Sequence, residues 1–169
     1  MLSPTVKPSL MSIFNFRDRP AATAVAFATT LFAVLAVSDP VQGAGPVITE
    51  FMADNNNTLS GAGGSTPDWI EIYNPESTEI DLAGWHLTDN DQDPDQWTFP
   101  EGATITSGGY LLVYASGEGA NGPEGEYHTN FKLLDQGEYL ALVQPDGTVQ
   151  QEFAPVYPRQ DSDVSYRSE

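Results

Sequence analysis

Turn-forming residues recur about every eight to twelve positions through most of this chain, and short runs of β-branched and aromatic residues lie between them. No stretch after the first forty or so residues sustains a 3.6-residue apolar period, so the spacing predicts an all-β sandwich or barrel. The densest example is Ile80 to Ser116, which holds strand, acidic turn, strand, corner and strand in succession.

Strands are expected at Val47–Ala53, Asp68–Asn74, Ile80–Leu82, Trp85–Leu87, Gln96–Phe99, Thr104–Thr106 and Tyr110–Tyr114. In the second of these, Ile70 and Ile72 share one face and Trp69 and Tyr73 the other, which predicts cover on both sides. Gly84 falls inside a strand-like pattern and marks a bulge or sharp bend. The uninterrupted run Tyr110 to Tyr114 suits a buried central strand. Pro145-Asp146-Gly147 between Tyr139–Val143 and Val149–Phe153 is a hairpin signal. The loop containing Gly61, Gly63 and Gly64 has neither a Lys-Ser/Thr ending nor a helix after it, so it is a connection and not a phosphate cradle. Gly117 to Glu126 is breaker-rich loop, and Tyr166 is the residue of the polar C-terminal end expected to dock.

At 169 residues the chain has room for about one domain, and residues 1–43 read as a signal peptide. Lys7, Arg17 and Arg19 precede an uncharged apolar run from Ala21 to Val37, and Val41-Gln42-Gly43 supplies a cleavage pattern. Seventeen alanine-rich residues sit at the lower edge of bilayer-spanning length, so an uncleaved anchor is the alternative. The remaining domain, residues 44–169, contains no cysteine and must stand on its apolar core without disulfides or thiolate metal sites. It carries Lys132, Arg159 and Arg167 against twenty-two carboxylates, a formal charge of −19. That field repels phosphate backbones and anionic lipid, which excludes nucleic acid as a direct partner and membrane insertion once the leader is gone.

The ordered pieces Val47-Ile48-Thr49-Glu50-Phe51, Asp68 to Asn74, Leu82-Ala83-Gly84-Trp85-His86-Leu87, Trp97-Thr98-Phe99-Pro100, Gly109 to Ser116, His128-Thr129-Asn130-Phe131-Lys132-Leu133 and Gly137-Glu138 resemble a lamin tail domain of the bacterial exported type. The resemblance spans about residues 46–167 and implies an immunoglobulin-like β-sandwich. For bacterial members it further implies export and attachment to larger surface or hydrolytic proteins. It carries no catalytic residue over to any position here.

Asp89, Asp91, Asp93 and Asp95 alternate through one turn, and carboxylate oxygens gathered on a loop are what Ca²⁺ takes. Pro94 and Pro100 stand where an EF-hand needs glycine and the bidentate acid, so the pattern is not that loop. The competing reading is a solvated tip that guards against edge-to-edge association. His86 and His128 are the only histidines and read as packed or hydrogen-bonded side chains. Ser116 and His128 with one of many acids can be written as a catalytic triad, which only geometry decides. Glu50 and Glu71 are the first carboxylate pair to examine for glycoside hydrolysis, against a reading in which they satisfy loop backbone. Trp69, Trp85 and Trp97 are either core or a sugar-stacking platform. Asn56-Asn57-Thr58 is a glycosylation sequon in a host that uses it.

The sequence thus points to a non-catalytic module, secreted, periplasmic or at the cell surface, that binds protein or polysaccharide partners. A Ca²⁺-dependent glycan binder and a small hydrolase are the alternatives.

Overall fold

The computed structural model describes residues 44–119 and 125–168, and the leader expected over residues 1–43 lies outside them. Eleven strands run through the described residues: β1 Val47–Met52, β2 Asp68–Tyr73, β3 Ile80–Asp81, β4 His86–Thr88, β5 Trp97–Thr98, β6 Thr104–Ile105, β7 Tyr110–Ala115, β8 Tyr127–His128, β9 Leu140–Val143, β10 Val149–Phe153 and β11 Tyr166–Arg167. One sheet has the order β11-β1-β2-β7-β8, a second has β10-β9-β4-β5, and β3 and β6 pair separately. All pairings are antiparallel except β7 with β8.

A single core draws residues from both large sheets: Ile48, Phe51, Ile70, Ile72 and Val113 from the first, Leu87, Trp97, Leu140 and Leu142 from the second. These are the inward positions of alternating strands, and the layers bury them as an immunoglobulin-like sandwich does. Phe51 lies at its centre with ring contacts to Phe153, Tyr157 and Tyr166 at 5.0, 4.9 and 5.2 Å. The second face of β2 is also covered, because Trp69 packs with Met52 and Tyr114 under Leu59.

Several expectations shift in detail. Gly84 makes a bend with φ of +78°, and Trp85 N–H closes it onto the Leu82 carbonyl at 2.9 Å. The bend sends β3 and β4 to different sheets. In β7, Val113 to Ala115 are buried, but Tyr110 is 62% exposed and lies against Tyr73 on the neighbouring strand. The strand is central, but Tyr110 sits on the outer face it shares with Leu112 and Tyr114, at the end away from the patch that Leu59 joins. The Pro-Asp-Gly hairpin forms as expected, with Gln144 N–H donating to the Thr148 carbonyl at 2.8 Å.

The polar C-terminal end does more than dock one tyrosine. Tyr166 does pack on Phe51 and Phe153, and β11 adds to the edge of β1. Before it, Tyr157 and Gln160 are also buried. The Tyr157 hydroxyl donates to the Leu134 carbonyl at 2.9 Å, and Gln160 Oε1 accepts Ala53 N–H at 3.0 Å. Gly137 permits this closure: its φ is +93°, and a Cβ there would stand 2.2 Å from the Tyr157 carbonyl oxygen.

Candidate functional site

The loops after β1, β7 and β8 meet at one end of the sandwich, and Asn55 organises the first of them. Its buried amide donates to the carbonyls of Leu59 and Pro67 at 2.6 and 2.7 Å. Its oxygen accepts the N–H groups of Thr58 and Leu59 at 3.1 and 3.2 Å and the Thr58 hydroxyl at 2.7 Å. One asparagine therefore satisfies four backbone groups of an otherwise irregular segment, which is how a loop survives partial burial. From outside, Asp163 Oδ1 accepts the N–H groups of both Asn56 and Asn57 at 2.8 Å, and these bonds lower its pKa.

The far end of the same loop is held by a second polar chain. Ser116 Oγ lies 3.0 Å from His128 Nδ1, and His128 Nε2 lies 3.4 Å from Glu126. The other Glu126 oxygen accepts Ala62 N–H at 2.8 Å. Tyr114 stacks on the imidazole at 5.2 Å and donates its hydroxyl to the Ser60 carbonyl. The parallel pairing of β7 with β8 sets this register, placing His128 opposite Tyr114.

Serine, histidine and carboxylate are thus brought together, but with the ring nitrogens exchanged: a hydrolytic triad pairs its serine with Nε2 and its carboxylate with Nδ1, and here Ser116 meets Nδ1 and Glu126 meets Nε2. The surroundings, too, are already committed. Glu118 N–H donates to Ser116 Oγ itself at 3.2 Å, and Gly119 N–H donates to the Thr129 carbonyl at 3.0 Å. These backbone donors just beyond the serine are held in ground-state hydrogen bonds, whereas an oxyanion hole needs donors aimed at a developing charge. The carboxylate likewise spends one oxygen on the loop at Ala62. The arrangement works as a clamp that ties loop to sheet.

Between the clamped loops lies a cleft of about 350 Å³, lined by Ser65, Thr66, Pro67, Asp68, Ser116, Glu118 and Lys132. Partial burial pushes the Asp68 carboxyl up to about 6, and repulsion from Asp54 and Asp135 adds to this. The Asn55 N–H, 3.1 Å away, and the charge of Lys132 oppose the shift. Lys132 makes no ion pair among the described residues, and its stem lies along Gly117. The cleft accordingly presents a costly carboxylate and an ammonium that no described carboxylate pairs with.

The four aspartates occupy a separate turn. Asp91, Asp93 and Asp95 are exposed and Asp89 is half-buried, its carboxyl raised by that burial. Thr88 shapes the turn: its buried hydroxyl lies 2.8–3.0 Å from the carbonyls of Asn90 and Asp93, from Gln96 Oε1 and from Asn90 N–H. Among the described residues no three His, Asp or Glu side chains come together as a group that could hold a metal ion.

The remaining candidates are committed to the fold. Glu50 and Glu71 face each other across β1 and β2. Glu50 is held by the Ser165 hydroxyl and by Arg167 at 2.6 Å, which together lower its pKa. Glu71 accepts the Thr49 hydroxyl at 2.7 Å. Their partners are thus side chains rather than the loop backbone expected from sequence. His86 Nδ1 meets the Thr98 hydroxyl at 2.9 Å across β4 and β5. Trp69 and Trp97 are core, whereas Trp85 is only half-buried. The organising roles of Asn55 and Asp163 escaped sequence reasoning, although an asparagine opening a glycine-rich loop is a signal that side-chain-to-backbone bonding will shape it.

Two facing sheets with one shared core define an immunoglobulin-like β-sandwich domain. The family model for the Lamin Tail Domain matches residues 41–156, and the chain belongs to that family. β11 lies beyond the matched segment but is hydrogen-bonded into the first sheet. A search of curated proteins found no match.

Proposed function

We propose that this protein is a non-catalytic interaction module, exported to the cell envelope or beyond, that contacts a protein or polysaccharide partner through the cleft between its clamped loops. The observation that carries this reading is the loop set itself. Asn55, Asp163 and the Ser116–His128–Glu126 chain hold about a dozen loop residues in one shape before any partner arrives. Such preorganisation lowers the ordering cost of binding. Export rests on the leader-like residues 1–43, and the charge of −19 over residues 44–169 argues against nucleic acid and anionic lipid partners.

Ca²⁺ at the aspartate turn belongs to the same proposal as a modulator. Asp91, Asp93 and Asp95 would have to swing together around the ion, so binding there is weak, in the range of roughly 10⁻⁴–10⁻³ M seen for extracellular modules. A second reading, a small serine hydrolase, is favoured by the Ser116–His128–Glu126 contacts alone.

The test is retention of envelope components by the immobilised chain, with and without several millimolar Ca²⁺, against a variant with Ser65→Trp at the cleft rim. A partner retained by the parent and lost by the variant supports the module. Equal retention by both would move the binding surface elsewhere.

A further inference from the structure

A second groove, about 320 Å³, opens beside the β9–β10 hairpin and is lined by Pro46, Glu76, Thr78, Trp85, Gln144 and Gln150. Its volume is at the lower end of ligand pockets, roughly 300–1,000 Å³. Trp85 packs against the core and also reaches this groove, unlike Trp69 and Trp97, which are only 9% and 7% exposed. The indole is therefore anchored from behind while part of it stays accessible.

The polar rim is equally fixed. Gln144 Nε2 donates to Gln150 Oε1 at 2.9 Å, Gln150 Nε2 donates to the Ala44 carbonyl at 2.6 Å, and Glu76 Oε1 accepts Gly45 N–H at 3.1 Å. These bonds orient two amide planes and a carboxylate. They leave Gln144 Oε1, the second Glu76 oxygen and the Thr78 hydroxyl without a protein partner among the described residues. An aromatic surface bordered by oriented amide, carboxylate and hydroxyl groups matches the two chemistries of a pyranose. Its C–H face packs on aromatic carbon, and its ring of hydroxyls both donates and accepts hydrogen bonds. Charge narrows the choice, since Glu76 in the groove and the overall acidity disfavour uronate or sulfated sugars.

We infer that the Trp85 groove is a subsite for one or two residues of a neutral glycan. This rests on the interaction-module reading, names polysaccharide as a ligand class, and places it apart from the Ser65–Lys132 cleft. Trp85 supplies the stacking surface, and Gln144, Glu76 and Thr78 fix the orientation of the sugar.

Affinity electrophoresis of the full chain through gels holding soluble β-glucan, galactomannan, xylan or polygalacturonate tests it. Retardation is expected in at least one neutral polymer and not in polygalacturonate. Trp85→Ala should abolish it, and Gln144→Ala and Thr78→Val should each weaken it about fivefold, the loss of one hydrogen bond of about 1 kcal/mol. Because Trp85 also touches the core, the Gln144 and Thr78 variants, whose side chains lie on the rim, decide the matter if Trp85→Ala fails to fold. No retardation in any neutral gel, unchanged retardation in both rim variants, or equal retardation by polygalacturonate would overturn the inference. Partner capture lost in Ser65→Trp would still stand in that event, so the two readings fail separately.

Discussion

Replacing Asn55 by alanine removes the hub of the loop that forms one wall of the cleft. Two carbonyls, Leu59 and Pro67, lose an amide donor, and two N–H groups, Thr58 and Leu59, lose an acceptor. Each net hydrogen bond is worth about 0.5–1.5 kcal/mol, and an orphaned buried group costs more than an exposed one. Part of this segment can rehydrate, so the four losses together should lower stability by about 2–4 kcal/mol. Urea unfolding followed by tryptophan fluorescence reads the total. Hydrogen exchange reads its distribution, with protection falling first in residues 56–67 and least in β2 and β7. Asn55→Asp sharpens the test because it keeps the acceptor but turns a carboxylate oxygen towards two carbonyls, so at pH 7 it should be no more stable than the alanine variant. A loss below about 0.5 kcal/mol, or unchanged exchange across residues 56–67, would refute the claim that Asn55 holds the loop.

Asp68 supplies a pH-dependent prediction. Its folded pKa of about 6 lies above the unfolded value of 3.8, so the folded state keeps this proton longer, and the group's contribution to stability falls as pH rises from about 4 through 6. Asp68→Asn should therefore stabilise the protein at pH 7 by about 1–2 kcal/mol after allowing for solvent screening of a partly exposed group, with the gain vanishing below about pH 4 in parallel urea titrations. A pH-independent difference would contradict this. Thr88→Val removes the hydroxyl at the centre of the aspartate turn and should cost about 1–2 kcal/mol in the same assay. Calorimetric titration with Ca²⁺ should show weak heat and a small rise in Tm at several millimolar, both lost when Asp91 and Asp93 become Asn; no heat would remove Ca²⁺ from the account. A fluorophosphonate probe should leave Ser116 unlabelled, and stoichiometric labelling that disappears in His128→Ala would favour the hydrolase reading.

Much of the fold was legible because alternating strands and turn chemistry are local signals. Ile70 and Ile72 against Trp69, the bend at Gly84 and the Pro-Asp-Gly hairpin all followed from spacing. Features set by distant pairing were not. β8 has two residues and pairs in parallel with β7, so no run of β-formers announces it. Tyr157 and Gln160 sit in a polar C-terminal stretch and are buried only because Leu134, Glu138 and Ala53 supply partners from far along the chain. The cleft was less legible still. Ser116, His128 and Glu126 form a chain through the β7–β8 register, and of the four aspartates that looked most like a site in sequence three lie exposed on a turn shaped by Thr88 and Asp89 is half-buried beside it.

We propose that loops fixed in advance present a binding cleft. The most direct measurement is the affinity of a captured envelope partner for the parent chain, Asn55→Ala and Ser65→Trp, taken side by side under conditions where all three remain folded. Ser65→Trp is expected to abolish binding by filling the cleft. Asn55→Ala should weaken binding about tenfold or more, as a preformed loop must now be ordered on contact. Undiminished affinity in both variants would contradict the proposal.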